Sequence, residues 1–338
     1  MQALQITAPG QTRIIELEPP TPQDGEVLLQ VRRVGFCGSD LSTFEGRNPL
    51  VSYPRIPGHE IGATIAALGA GVGAEWPVGQ PVTVVPYSSC GDCPSCRRGR
   101  AHACRSNRTL GVQREGGMCS YLVVPAEKLV RVDGLGAREL SLVEPLTVGF
   151  HAVSRGEVTR SDTVAVFGCG VIGLGAIAGA TERGARVIAV DLDDEKLALA
   201  QRLGARSGLN AAQVDVPAAL RDLTQGDGPD VCIEAVGHPR TYQQAVDAVA
   251  FTGRVVCIGY AKEDVPLPTR LFVQKELDIR GSRNATAADF QRVAQYLAAA
   301  DFPYERIISR EVELGEAGAA LAAWSADPRQ VTKISVCL

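Results

Sequence analysis

The sequence predicts an α/β protein of two domains: a β-rich unit built from both ends of the chain, and an inserted doubly wound parallel sheet. Three observations carry this. The chain has 338 residues, more than one ordinary core accommodates. Its first part is a series of short valine-rich runs bounded by Gly or Pro. From Leu146 onward strand-like runs alternate with helical patterns, the signature of βαβ units. The expected boundaries are 1–147 with 282–338 for the first domain and 148–281 for the second.

In order, EVLLQVRRVGF, ATIAALG, QPVTVVPY and MCSYLVVPAEKLVRV read as strands of a mainly antiparallel domain with long loops. DTVAVFG, GLGAIAGATERG, ARVIAVD and DDEKLALAQRLG then alternate strand with helix. The helix after Asp191 is expected to start at Asp193 or Asp194, to carry Leu197, Ala200 and Leu203 on one face, and to end at Gly204. PDVCIEAVG, GRVVCIGY and ELDIRGS read as strands buried on both faces. ADFQRVAQYLAAA is helical, and TKISVCL is a closing strand that returns to the first domain. Thr163 to Ala180 carries no charge and reaches the lower length limit of a membrane helix, but its glycines punctuate it as strand, turn and helix.

Composition excludes several classes. With 45% hydrophobic and 21% charged residues the chain is not a disordered polymer, and a net charge of −4 gives no reason to expect nucleic acid or an anionic membrane as partner. MQALQITAPG has neither the basic segment nor the apolar run of a leader. The ten cysteines are therefore expected in a reducing cytoplasm, where they bind metal rather than form disulfides.

Gly168, Gly170 and Gly173 form GCGVIG between a predicted strand and a predicted helix. The first Gly permits a tight turn, the second lets the backbone approach a pyrophosphate, and the third lets helix and strand pack closely. Val171 and Ile172 fill the intervening positions and count with the nucleotide-binding residues. Asp191 closes the next strand about twenty residues on, where a carboxylate accepts bonds from ribose hydroxyls. A 2′-phosphate would meet that charge, and Leu192-Asp193-Asp194 offers no Arg, so NAD is favoured over NADP. The plainer alternative is that Asp191 caps the next helix.

Cys90, Cys93, Cys96 and Cys104 crowd into CGDCPSCRRGRAHAC. Four thiolates so close can close a tetrahedral zinc shell with no open position, hence a structural site. The seven-residue gap before Cys104 does not suit a ferredoxin-type cluster. The surrounding arginines lack the interleaved aromatics of a nucleic-acid ribbon. A second set is different: Cys37 stands alone in GFCGSD, upstream of the triplet Gly58, His59 and Glu60. One Cys, one His and a distant carboxylate leave a coordination position open for chemistry. Cys119, Cys169, Cys232, Cys257 and Cys337 read as core residues, and His102, His151 and His238 follow no ligand pattern.

GFCGSD, PGHEIGATIAALGAGV, the four-cysteine lobe, VEPLTVGFHAV and GCGVIG occur in this order over essentially the whole chain. Together they resemble the zinc-dependent medium-chain dehydrogenases. The resemblance implies a GroES-like fold for the two end segments, a Rossmann domain between them, and two zinc ions per chain. It implies that Cys37 and His59 hold the catalytic zinc with Glu60 and Glu144 as the carboxylates near it, either of them able to be the ligand. Ser39 is similar to the family's first proton-relay hydroxyl, its alternative role being to cap the following loop. Lys333 resembles a cation that meets the cofactor pyrophosphate. Ala63 departs from the family's usual Gly, which implies a local backbone adjustment.

SYPRIPGHE, VVPYSSCGDCPSC, LGVQREGG and GSRNATAADF look like bacterial sugar-acid members of L-galactonate 5-dehydrogenase type. The expected reaction is oxidation of a secondary hydroxyl of such an aldonate by hydride transfer to NAD. Arg283 and Asn284 are the candidate substrate residues, Arg283 as a bidentate clamp for the carboxylate or else a surface residue. The runner-up is a polyol dehydrogenase of sorbitol or galactitol type, and a remote rival is a non-catalytic NAD-binding protein. The resemblance also implies a homo-oligomer, dimer or tetramer, with GRVVCIGY or the last strand of the inserted sheet extending it across a two-fold axis.

Overall fold

The structure, a computed structural model, describes residues 1–328 and 331–338. It divides into two compact units, Met1–Pro145 with Thr286–Leu338, and Leu146–Ala285.

The first unit is a β-domain. Its main sheet runs Arg310–Glu313, Ile334–Cys337, Glu26–Gly35, Glu60–Leu68, Pro81–Val84 and Leu129–Val130, with Tyr121–Pro125 also paired to Glu26–Gly35. Strands Gln2–Ala8 and Gln11–Glu16 form a separate hairpin. Along Glu26–Gly35, Val27, Leu29 and Val31 are buried while Leu28 and Gln30 are only partly covered, the period-two pattern of a sheet with one face on a core. Ile61, Ala63 and Ile65 of the next strand join the same core, so Ala63 is accommodated inside the sheet.

Strand register positions the site. Gly35 pairs with Glu60 across one antiparallel ladder, and Ser335 pairs with Gly35 across another. Three segments distant in sequence therefore come side by side: the residues after Gly35, those before Glu60 and those before Ile334. A Cβ on Gly35 would lie 1.9 Å from Glu60 Oε2, so only glycine fits beside this carboxylate.

The second unit is a six-stranded, wholly parallel sheet. Its order is Ser207–Asn210, Arg186–Asp191, Thr163–Phe167, Val231–Glu234, Arg254–Cys257 and Asp278–Gly281. In chain order this reads 3-2-1-4-5-6, the doubly wound dinucleotide-binding arrangement. The uncharged stretch from Thr163 resolves into strand Thr163–Phe167 and helix Val171–Glu182, and no described helix is long and apolar enough to cross a membrane. Helix Asp194–Arg202 starts at the Asp193 cap and buries Leu197 and Ala200. Two expectations are corrected. Arg254–Cys257 lies inside the sheet and cannot extend it, and Asp278–Gly281 is an exposed edge strand rather than one buried on both faces. Its alternating charges, Asp278 and Arg280, mark an edge.

Candidate metal centres and nucleotide site

The four-cysteine lobe is a local structure. Two short helical turns, Pro94–Arg97 and Ala101–Ala103, fold the chain back on itself. Cys93 Sγ lies 3.5 Å from Cys96 Sγ and 3.8 Å from Cys104 Sγ, and Cys104 Sγ lies 3.5 Å from Cys90 Sγ. The edge of a tetrahedron with zinc–sulfur bonds of about 2.3 Å is about 3.8 Å, so the residues fit the ion. Backbone amides already point at the sulfurs, among them Cys93 N at Cys90 and Ser106 N at Cys104. The Ser95 hydroxyl and backbone amides bring the Cys93 thiol down to about 5, while desolvation pushes Cys96 up to about 11. The exposed Arg98, Arg100, Arg105 and Arg108 oppose the negative charge that four thiolates leave on a zinc ion. That accounts for the basic ring without a nucleic acid.

The second centre is assembled from distant segments. Ligand atoms of Cys37, His59 and Glu60 all lie within 4.8 Å of one another. His59 Nδ1 is buried without a hydrogen-bond partner. Burial disfavours a charged ring here, but Cys37, Glu144 and Asp40 outweigh it and hold His59 well above the ordinary histidine value. Glu144 is not one of the three-ligand set. Its Oε1 accepts the buried Tyr87 hydroxyl at 2.5 Å, and burial raises its pKa although His59 works the other way. Ser39 Oγ is buried without a partner and does not cap the helix Gly38–Phe44 in which it sits.

Two residues that sequence reasoning passed over or misplaced hold this centre together. Asp40 is buried and accepts Cys37 N at 2.8 Å and Gly58 N at 3.2 Å, tying the Cys37 turn to the segment leading into His59. Lys333 is corrected. Its ammonium is buried and donates to Glu60 Oε1 at 2.6 Å, Glu60 Oε2 at 2.7 Å and the Phe36 carbonyl at 3.0 Å. All three of its protons are spent inside the first unit, so it is not available to a pyrophosphate. The reason is the Ser335–Gly35 register, which sets Lys333 beside Glu60. Asp40, Glu60 and Glu144 are all buried, and the Lys333 ammonium contacts Glu60 alone among them by hydrogen bonds.

The nucleotide motif lies between strand Thr163–Phe167 and helix Val171–Glu182. Gly168 has φ +94°, and a Cβ on Gly173 would lie 1.8 Å from the Gly168 carbonyl oxygen. Gly170 precedes the helix with nothing within 4 Å of where a Cβ would stand, leaving the helix N-terminus open to a phosphate. Val171 is buried and Ile172 half-buried in the first turn. Asp191 accepts Cys169 N at 2.6 Å, Leu192 N at 2.8 Å and Asp193 N at 3.1 Å, so it braces the glycine turn. The helix cap is Asp193, which accepts Glu195 N. Beyond the motif, buried Glu234 accepts Val236 N, Gly237 N and the Thr241 hydroxyl, fixing the turn after Val231–Glu234. Arg283 and Asn284 follow the edge strand in the second unit, both half-buried, with Asn284 at φ +52°. Cys119, Cys169 and Cys232 are buried as expected, whereas Cys257 and Cys337 are only partly so.

Residues 23–134 match the alcohol dehydrogenase GroES-like domain and residues 171–299 the zinc-binding dehydrogenase domain. The chain belongs to the zinc-dependent medium-chain dehydrogenases. It is 36% identical to L-galactonate-5-dehydrogenase of Escherichia coli over 83% of this chain and 82% of that one. It is 36% identical to erythritol/L-threitol dehydrogenase of Mycolicibacterium smegmatis over 83% of each. The rspB alcohol dehydrogenase of Escherichia coli CFT073, solved with NADH, superposes with a TM-score of 0.91 at 32% identity, over 100% of this chain and 99% of that one. The protein is therefore a zinc-type oxidoreductase acting on CH–OH groups.

Proposed function

We propose that this dehydrogenase uses NAD to oxidise a secondary hydroxyl of an L-galactonate-like aldonate in the cytoplasm. The observation that carries the reading is the set Cys37, His59 and Glu60, whose ligand atoms lie within 4.8 Å of one another with His59 and Glu60 buried. Zinc held by these three supplies the acidity that lets a hydroxyl lose its proton near neutral pH, and NAD accepts the hydride. Cys90, Cys93, Cys96 and Cys104 hold the second, structural zinc.

The chain's own residues do the rest. Ser39 Oγ, buried and unpartnered, is free to accept a hydrogen bond from the substrate hydroxyl that would lose its proton. Glu144, oriented by Tyr87, accepts a hydrogen bond from the substrate or its water. Gly168, Gly170, Val171, Ile172 and Gly173 receive the pyrophosphate. Asp191 keeps lone-pair capacity beyond its three amides for the ribose hydroxyls, and its charge disfavours a 2′-phosphate.

Similarity to an L-galactonate enzyme supports the aldonate, and Arg283 supplies the cation its carboxylate needs. Similarity to an erythritol/L-threitol enzyme supports the second reading, a neutral polyol. Initial rates of NAD reduction over aldonates and polyols separate the two. Turnover of aldonates, reduced by Arg283→Ala through KM, supports the first; turnover of polyols alone, unaffected by Arg283→Ala, overturns it.

We also infer a homodimer formed along Asp278–Gly281. The edge has no further strand among the described residues. Antiparallel self-pairing centred on Ile279, itself exposed, sets Asp278 of each copy opposite Arg280 of the other. Sedimentation should give a dimer for the natural chain and a monomer for Ile279→Lys; a monomeric natural chain contradicts the inference.

A further inference from the structure

The Lys333–Glu60 pair has a consequence for the zinc centre that goes beyond holding the strands together. Both groups are buried, at 5% and 1% exposure, and the ammonium engages both oxygens of the one carboxylate that belongs to the ligand set. Each carboxylate oxygen has a second lone pair, so Glu60 can serve ammonium and metal together but divides its charge between them. The Lys333 proton that remains goes to the carbonyl of Phe36, the residue before the Cys37 ligand. The cation is therefore fixed within the centre by both ligand-bearing segments and cannot swing away.

We propose that Lys333 is a positioning residue that shares Glu60 with the catalytic zinc, weakening the carboxylate's hold on the ion and keeping the ion a stronger acid toward the substrate hydroxyl. This rests on the zinc reading above. A fixed positive charge beside a dication opposes its binding, and the effect is large where water is excluded. An anionic ligand left unshared would instead donate more fully and leave the metal less electrophilic. The C-terminal strand thus tunes a centre whose ligands all lie in the first sixty residues.

The test is a double-mutant cycle on Lys333→Met and Glu60→Gln, measuring affinity for the catalytic zinc by chelator competition. Circular dichroism and retention of the four-cysteine zinc verify folding. The expected result is zinc bound at least about tenfold more tightly in Lys333→Met than in the natural chain. On the Glu60→Gln background only the direct repulsion is relieved and no carboxylate is freed, so the same substitution should tighten binding by clearly less than it does in the natural chain. The pH profile of kcat/KM in Lys333→Met should move to higher pH, a change that loss of a merely structural contact would not produce. Weaker or unchanged zinc binding by folded Lys333→Met overturns the proposal, as does an equal tightening on the Glu60→Gln background. If Lys333→Met does not fold, Lys333→Gln, which removes the charge but keeps an N–H donor for the Glu60 carboxylate, carries the same test with the same expected tightening. A natural chain that binds only the four-cysteine zinc overturns the zinc reading itself, and is told apart by its zinc count of one.

Discussion

The two candidate metal centres of this chain bring their ligand groups together in opposite ways. The four-cysteine lobe draws every ligand from residues 90–104, leaves Cys90 exposed, and balances its charge with arginines in solvent. The Cys37 centre draws on strand ends that meet only because Gly35 pairs with both Glu60 and Ser335, and it balances its charge with a buried lysine. The first offers four thiols, enough to fill a tetrahedral shell. The second offers three ligand groups, short of a closed shell, with Asp40 and Lys333 hydrogen-bonded to the segments that carry them. Closure suits a structural role and an open, braced site suits chemistry.

The sharpest way to break the comparison is to remove one ligand from each centre. Cys37→Ser should keep the fold and the lobe zinc but lose the other, with kcat/KM falling by at least about 10³-fold, the equivalent of several kcal/mol of lost acid catalysis. Zinc counting and initial rates check it. Cys104→Ser should act on folding: a loss of about 3 kcal/mol, seen as a melting temperature lower by roughly 6–12 °C, with turnover largely kept in the cold. An equal kinetic loss in both variants would erase the distinction.

Smaller changes sharpen the other side. Asp40→Asn keeps the volume but removes the charge that holds the Cys37 and Gly58 amides, and should lower affinity for the catalytic zinc by about 10–100-fold. Equilibrium dialysis reads it, with lobe zinc unchanged. Tyr87→Phe removes one hydrogen bond to Glu144 and should reduce kcat/KM by about fivefold, near 1 kcal/mol.

What was legible in the sequence follows the same division. The lobe could be read directly, because its ligands are neighbours and their spacing is the signal. The glycine turn could also be read, since GCGVIG sits between a strand and a helix whose patterns are local. Cys37, His59 and Glu60 were found through motif resemblance. Their support was not, since Asp40 looks like any polar residue until the fold brings it to the Cys37 and Gly58 amides. Lys333 was misplaced for the same reason: nothing near TKISVCL reveals that Ser335 pairs with Gly35. Asp278–Gly281 was read as buried although Asp278 and Arg280, alternating along it, were the local signal of an edge.

The measurement that tests the account most directly is the initial rate of NAD reduction on L-galactonate by the natural chain and by Cys37→Ser, with zinc counted in each. The account predicts turnover with two zinc ions per chain in the first, and one ion without turnover in the second. Undiminished turnover by Cys37→Ser holding a single zinc would contradict it.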